Sequence, residues 1–195
     1  APNSITWPSR TRTTMTDADT DIAGLSSAEH ATGNLDARVT LVEYGDFECP
    51  RCAQAEPLTR HLVDTYGDSL RFVFRHFPDS AAHPHAELAA EASEAAAAQG
   101  KFWAMHAALF RQPQHLKEAA LTRHAEEIEL DMTRYHADMN DHLYLQRVRE
   151  HHAAAVKLGL RGTPSFFLND QPVDVSFGLD HLEQAVRAAG GTGCF

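Results

Sequence analysis

Two cysteines three positions apart, Cys49-Pro50-Arg51-Cys52, stand where an apolar run gives way to a helical pattern, and this junction constrains the fold most. Upstream of it, Val39 to Tyr44 (VTLVEY) mixes β-branched and apolar residues without polar alternation, the composition of a buried central strand. Gly45-Asp46-Phe47-Glu48 breaks that run, and the helical pattern then extends from the first cysteine to about Tyr66. Gly67-Asp68 punctuates it, and Leu70 to Phe77 alternates as a second strand. A β–α–β order of this kind predicts two parallel strands with the helix crossing over one face of the sheet.

From about Pro84 to Leu158 the chain is almost purely helical. Pro84 suits a first helical turn and Gly100 closes an alanine-rich helix; Phe102, Met105, His106, Leu109 and Phe110 then recur on one helical face. Pro113 interrupts, and amphipathic stretches follow around residues 116–128, 132–140 and 142–158. Strand character returns at Ser165 to Leu168, turns at Asn169-Asp170, and continues at Pro172 to Val175 before a last helix near Leu179 to Ala189. The expected fold class is therefore α/β: a mixed β–α–β … β–β–α sheet with helices on both faces and an all-helical insertion. In segments, residues 1–34 read as a polar amino-terminal extension, partly disordered, and 35–80 as the first half of the sheet domain. Residues 81–158 form the insertion, 159–190 the second half, and 191–195 a tail.

Composition narrows the function. The chain carries 17 Lys and Arg against 27 Asp and Glu, a formal charge of −10, which argues against a nucleic-acid-binding surface. It has no apolar run of membrane-spanning length. Three cysteines are too few for a disulfide-dense secreted scaffold. The retained sequence shows no export signal, so the cytoplasm is the expected address, with a periplasmic or other extracytoplasmic one as the alternative. Residues 1–14 read as an extension, and Cys194 as a free thiol on a terminal tail.

A C-x-x-C beside a βαβ pattern reads as a thiol redox motif. One helical turn brings the two sulfurs to the same face, within reach of a disulfide. Cys49 falls at the N-cap, where unpaired N–H groups and the positive end of the helix dipole stabilise a thiolate, and Pro50 suits the first helical position. Cys49 is accordingly the expected nucleophile and Cys52 the resolving thiol, exchanging through a mixed disulfide. Arg51 should lower the Cys49 pKa further, while Asp46 and Glu48 push the other way. A zinc half-site, completed by His83 and His85, and an inert structural pair are the alternatives, although the spacing of these histidines is not that of a zinc finger. Glu43, inside the first strand, is either a buried carboxyl with a raised pKa that moves a proton to or from Cys52, or an outward-facing glutamate. Thr163-Pro164 precedes the third strand. A cis bond there would let the Thr163 backbone pair with an extended substrate, and a trans proline at a strand edge is the plainer reading. Phe102, Trp103 and Phe110 read as core packing, and His76 and His106 as packed or solvated histidines.

VTLVEYGDFECPRC and GTPSFFLN, with the helical block beginning RHFPDSAAHPHAELAAEASEAAAAQGKFWAMHAALF and ending before LGLRGTP, together resemble the DsbA-like thiol–disulfide oxidoreductases over about Gly33 to Ala189. The resemblance implies a thioredoxin fold with a helical insertion, an active-site disulfide and a cis-proline loop. It matches Cys49 to the nucleophile, Cys52 to the resolving cysteine, Glu43 to the buried acid and Pro164 to the cis-proline. Arg51 departs from the family, whose members often carry His or Tyr there. The expected activity is thiol–disulfide exchange with protein, peptide or small-molecule thiols and a redox partner, with no cofactor, no metal, no nucleic acid and no membrane. The oligomeric state is open, with a monomer favoured. A glutathione-dependent transferase or isomerase on the same fold, and a non-enzymatic redox-sensing or metal-binding module, are the rival readings.

Overall fold

The computed structural model describes residues 29–176 and 178–190. Five strands, β1 (His30–Gly33), β2 (Val39–Gly45), β3 (Leu70–His76), β4 (Ser165–Leu168) and β5 (Gln171–Val173), form one sheet in the order β1-β3-β2-β4-β5. β2 and β3 run parallel, with Val39 opposite Leu70 and Gly45 opposite His76, and every other pairing is antiparallel. The crossover between the parallel strands is α1 (Pro50–Tyr66), as the βαβ pattern requires.

Between β3 and β4 lie α2 (Ala86–Ala97), α3 (Phe102–Arg111), α4 (Glu118–Glu127), α5 (Met132–Asn140) and α6 (Leu145–Lys157), and α7 (Asp180–Gly190) follows β5. Among the described residues, no helix is long and apolar enough to cross a membrane. The mixed sheet with a helical insertion is the α/β architecture that the sequence predicts.

Two features differ from the sequence pattern. β1 lies within the stretch read as an extension: His30 to Gly33 pair antiparallel with Phe74 to Arg71 at the sheet edge. HATG has no apolar alternation, so nothing local marks it; the open edge of β3 recruits it. β5 is shorter than the Pro172–Val175 expected, ending at Val173, because it is an edge strand holding a proline. The β4–β5 turn is Asn169-Asp170, with φ of 45° and 67°, the left-handed pair that a two-residue hairpin demands. Residues 1–14 and Cys194 lie outside the described residues.

Strand alternation divides the core. One face of β2 and β3 sends Val39, Leu41, Leu70 and Phe72 against Ala55 and Leu62 of α1 and Leu182 and Val186 of α7. The opposite face sends Val42, Tyr44 and Val73 against Ala155 of α6. Phe74, further along β3, joins Phe47, Cys52, Phe102, Met105, Leu109 and Phe110 in a third cluster, which fastens the insertion to the carboxyl end of the parallel strands. Burying each large apolar side chain contributes about 1.5–3 kcal/mol. Phe102 and Phe110 are thus core residues, as their spacing implies. Trp103 packs half-buried and donates its indole N–H to the Ala31 carbonyl of β1 at 3.3 Å.

Candidate active site

β2 ends at Gly45, and the chain turns through Asp46-Phe47-Glu48 to start α1. Cys49 is the N-cap residue, in extended conformation, with Pro50 in the first helical turn where its missing N–H leaves no carbonyl unsatisfied. Cys52 sits on the inward stripe of α1 with Ala55, Thr59 and Leu62. Both cysteines are reduced thiols; Cys52 has no exposure and Cys49 is 6% exposed. Cys49 nevertheless lines a groove of 670 Å³ between the loop after β3 and the segment leading into β4. The Cys49 Sγ lies 3.5 Å from the Thr163 carbonyl, and the Thr163–Pro164 bond is cis.

The two sulfurs differ electrostatically. The hydrogen bond from the Cys52 thiol does most to stabilise the Cys49 thiolate. Burial opposes it, and Thr163 and the backbone N–H groups of Cys52 and Arg51 add to it, so Cys49 falls from 9.0 to about 5. Burial pushes the Cys52 thiol up, and the hydrogen bond to Cys49 and the charge of Glu43 push it further. At neutral pH one sulfur is an anion at the groove and the other a buried thiol behind it.

Glu43 is 2% exposed, and burial, followed by the charges of Glu56 and Cys49, raises its carboxyl from 4.5 to about 8. Of the two sequence readings it is the buried one, and its charge is felt by the Cys52 thiol. Arg51 contributes to the lowering of Cys49, but by another route than the expected one. Its guanidinium lies 3.5 Å from the Val175 carbonyl, and its backbone N–H is what it gives to Cys49.

Asp46 and Glu48 are not bare charges beside the thiolate. Asp46 is 1% exposed; its Oδ1 accepts the Glu48 N–H, and its Oδ2 accepts the Asp79 N–H at 2.9 Å and faces His83 Nδ1 at 2.8 Å. Glu48 takes the His85 N–H on Oε2 and faces His85 Nδ1 at 2.9 Å with Oε1. The histidines weighed as zinc ligands are therefore partners of carboxylates. The signal was in the sequence: Asp46-x-Glu48 and His83-x-His85 share one spacing, and both lie in turns that lead into a helix.

Among the described residues, one group offers three metal-ligand atoms within 4.8 Å of one another: His30, His76 and Glu94. A single Glu94 oxygen, Oε1, meets His30 Nε2 at 2.7 Å and His76 Nε2 at 2.9 Å, and accepts the Arg147 Nε–H at 2.9 Å. A permanent guanidinium on that oxygen makes the cluster a cation-filled hydrogen-bond hub rather than a vacant cation site. His76 and His106 are buried, His106 wedged edge-on among Phe47, Phe74 and Phe110, where burial lowers it from 6.5 to about 3.

Residues 25–188 match a family model described as Thioredoxin. The chain belongs to the thioredoxin family. Among solved structures, a thioredoxin-like oxidoreductase from Silicibacter pomeroyi is 32% identical, with a TM-score of 0.77 over 90% of this chain and 100% of that one. BdbD from Bacillus subtilis (22% identity, TM-score 0.73, 84% of this chain and 94% of that chain) shares the fold. So does the thiol-disulfide exchange protein alpha-DsbA2 from Wolbachia pipientis (18% identity, TM-score 0.72, 81% and 85%). The DsbA-like architecture expected from the sequence thus stands for this thioredoxin-family chain. Curated relatives include a Na(+)/H(+) antiporter NhaA 3 of Salinispora tropica, 42% identical over 83% of this chain, and an NhaA 1 of Salinispora arenicola, 41% identical over the same share. The chain spans 24% of the length of each.

Proposed function

We propose that this thioredoxin-family chain is a thiol–disulfide oxidoreductase that cycles Cys49 and Cys52 between dithiol and disulfide. The observation that carries the reading is the opposite displacement of the two thiols, Cys49 down to about 5 and Cys52 up, at the mouth of a groove. In the reducing direction the Cys49 thiolate attacks a substrate disulfide, a Cys49–substrate bond forms, and one substrate thiolate leaves. Cys52 then gives up its proton to the ionised form of Glu43, a minority below about pH 8, which stands within electrostatic reach. The Cys52 thiolate attacks Cys49, and the second substrate sulfur departs reduced as the protein disulfide forms. Oxidation of a substrate dithiol runs the same steps backwards. The Thr163 backbone beside Sγ suits strand-like pairing with an extended peptide, so protein or peptide thiols are the proposed substrates.

The test is insulin reduction and dithiol-peptide oxidation by wild type, Cys49→Ser and Cys52→Ser. The first variant loses turnover, and the second accumulates mixed disulfides on Cys49. Retained turnover in Cys49→Ser refutes the reading. Equilibration against glutathione buffers then fixes the direction: a potential near about −120 mV marks an oxidant and one near about −270 mV a reductant.

The antiporter relatives favour a second reading, in which the same couple is a redox-sensing module serving a larger protein. Stoichiometric oxidation without catalytic turnover distinguishes it. The cytoplasmic address, against an extracytoplasmic one, is decided by labelling Cys49 in intact cells with a membrane-impermeant maleimide.

A further inference from the structure

The proton traffic assigned so far runs on the inner side of the site, through Glu43 and Cys52. The substrate's own sulfur also exchanges a proton, on the groove side, and the structure holds a separate group there. His83 lines the same groove as Cys49 and Thr163. Its Nδ1 is 2.8 Å from Asp46 Oδ2, while Nε2 has no protein hydrogen-bond partner among the described residues, and the side chain keeps 22% exposure. Asp46 is itself held from two sides by the backbone N–H groups of Glu48 and Asp79. A nucleophile and an imidazole with one free nitrogen line one groove, and a buried carboxylate orients the ring, the same three group types used elsewhere for acid–base-assisted nucleophilic attack.

We propose that the His83–Asp46 pair is the proton donor and acceptor for the substrate's leaving or attacking sulfur, a catalytic role distinct from that of Glu43. This rests on the oxidoreductase reading above. When the Cys49 thiolate attacks RS–SR′, the Cys49–SR bond forms and the RS–SR′ bond breaks. The bonding pair leaves on R′S, which takes the Nε2 proton of protonated His83 and departs as a thiol. Cys49 is oxidised into the mixed disulfide, one substrate sulfur is reduced, and His83 is left neutral. In the opposite direction neutral His83 removes the proton of a substrate thiol as that sulfur attacks.

The surroundings favour the protonated ring near neutrality. Burial opposes the charge, but the hydrogen bond and charge of Asp46 outweigh it, and Cys49 and Glu48 add to them, so His83 rises above 6.5. Asp79 lies on the same loop as His83. Across the groove, Arg149 is engaged with Glu87 at 3.9 Å, and His152 and Arg161 complete the charged or titratable lining.

A leaving-group comparison separates this chemistry from a structural role. The aliphatic sulfur leaving from glutathione disulfide is basic enough to take up a proton near neutral pH, whereas the aromatic thiolate leaving from Ellman's reagent stays ionised, so the first gains far more from a proton donor. The single-turnover rate constants of reduced wild type and His83→Asn are measured with both disulfides between pH 5.5 and 9; asparagine retains a donor for Asp46 but no titrating nitrogen. The ratio of the glutathione-disulfide rate to the Ellman's rate falls about tenfold or more in the variant, within the range of general acid catalysis. In wild type the same ratio falls as pH rises through the imidazole titration, so the test stands even if the variant folds poorly. A ratio unchanged by the substitution, or independent of pH in wild type, overturns the His83 assignment and leaves the oxidoreductase reading intact. Failure of wild type to react with either disulfide overturns both.

Discussion

Glu43→Gln removes the carboxyl whose proton the fold retains, and its effect on stability has a calculable size and sign. Burial, Glu56 and Cys49 raise Glu43 from 4.5 in an unfolded chain to about 8 in the folded one. Below pH 4.5 the residue is protonated in both states and costs nothing. Between 4.5 and about 8 only the folded state keeps the proton, so stability declines as pH rises, by ~1.4 kcal/mol per pH unit. Above about 8 both states are ionised, and the accumulated loss reaches roughly 5 kcal/mol, an upper figure because side chains and water relax around a buried charge. Glutamine is nearly isosteric and cannot ionise. The stability of the variant minus that of wild type therefore climbs through this window and levels off above it. Taking the difference also cancels most of the Cys49 titration, which runs the opposite way: a thiol depressed from 9.0 to about 5 contributes stability above 9.0 that is lost as pH falls through about 5. Urea unfolding of both reduced proteins at half-unit steps from pH 5 to 9 measures it. A difference that stays flat across that range would falsify the buried-proton account of Glu43.

Phe47→Ala empties a site 1% exposed that touches Phe74 and Phe110, and it should cost about 3–5 kcal/mol in chemical denaturation. Because Phe47 lies two residues before Cys49, the thiolate absorbance at 240 nm should also titrate at higher pH; an unchanged titration would separate core packing from thiol activation. Glu94→Gln weakens a carboxylate that meets His30, His76 and Arg147 on one oxygen, for an expected loss of about 3 kcal/mol at pH 7. Burial works against the Glu94 charge, but the hydrogen bonds from His30 and His76 outweigh it and hold the carboxyl below its usual range. Its stabilisation is thus present above 4.5 and disappears as pH falls below that, so the wild-type and variant curves should converge in acid; parallel curves would contradict this.

Elements with strong internal periodicity were legible from residues alone. VTLVEY, the helix opening at Cys49 and the Asn169-Asp170 hairpin each carry their own signal, through β-branching, N-cap chemistry and tolerance of positive φ. β1 was not, because His30 to Gly33 become a strand only when β3 offers an edge. In the site, the Cys49 and Cys52 pair follows from the motif, whereas the buried Glu43 and the cis Thr163–Pro164 bond were each one of two open readings, favoured by the family resemblance. The direction of Arg51 follows from neither, since its guanidinium meets a carbonyl 124 residues away in sequence. The pairing of Asp46 with His83 joins residues 37 apart across a loop, and charge counted along the sequence treats Asp46 as a burden on the thiolate rather than the anchor of an imidazole.

Glu43 and Asp46 lie three positions apart at one end of the central strand β2, the first within electrostatic reach of Cys52 and the second paired with His83 of the groove. A slip of one residue against β3 would turn every side chain of β2 to the other side of the sheet and carry Glu43 away from Cys52. Misaligned molecules would keep both cysteines yet lack the carboxyl proposed to serve the resolving sulfur. Under the proposed mechanism, correct strand alignment is therefore a precondition for full turnover, and misaligned chains would hold their substrates longer as mixed disulfides.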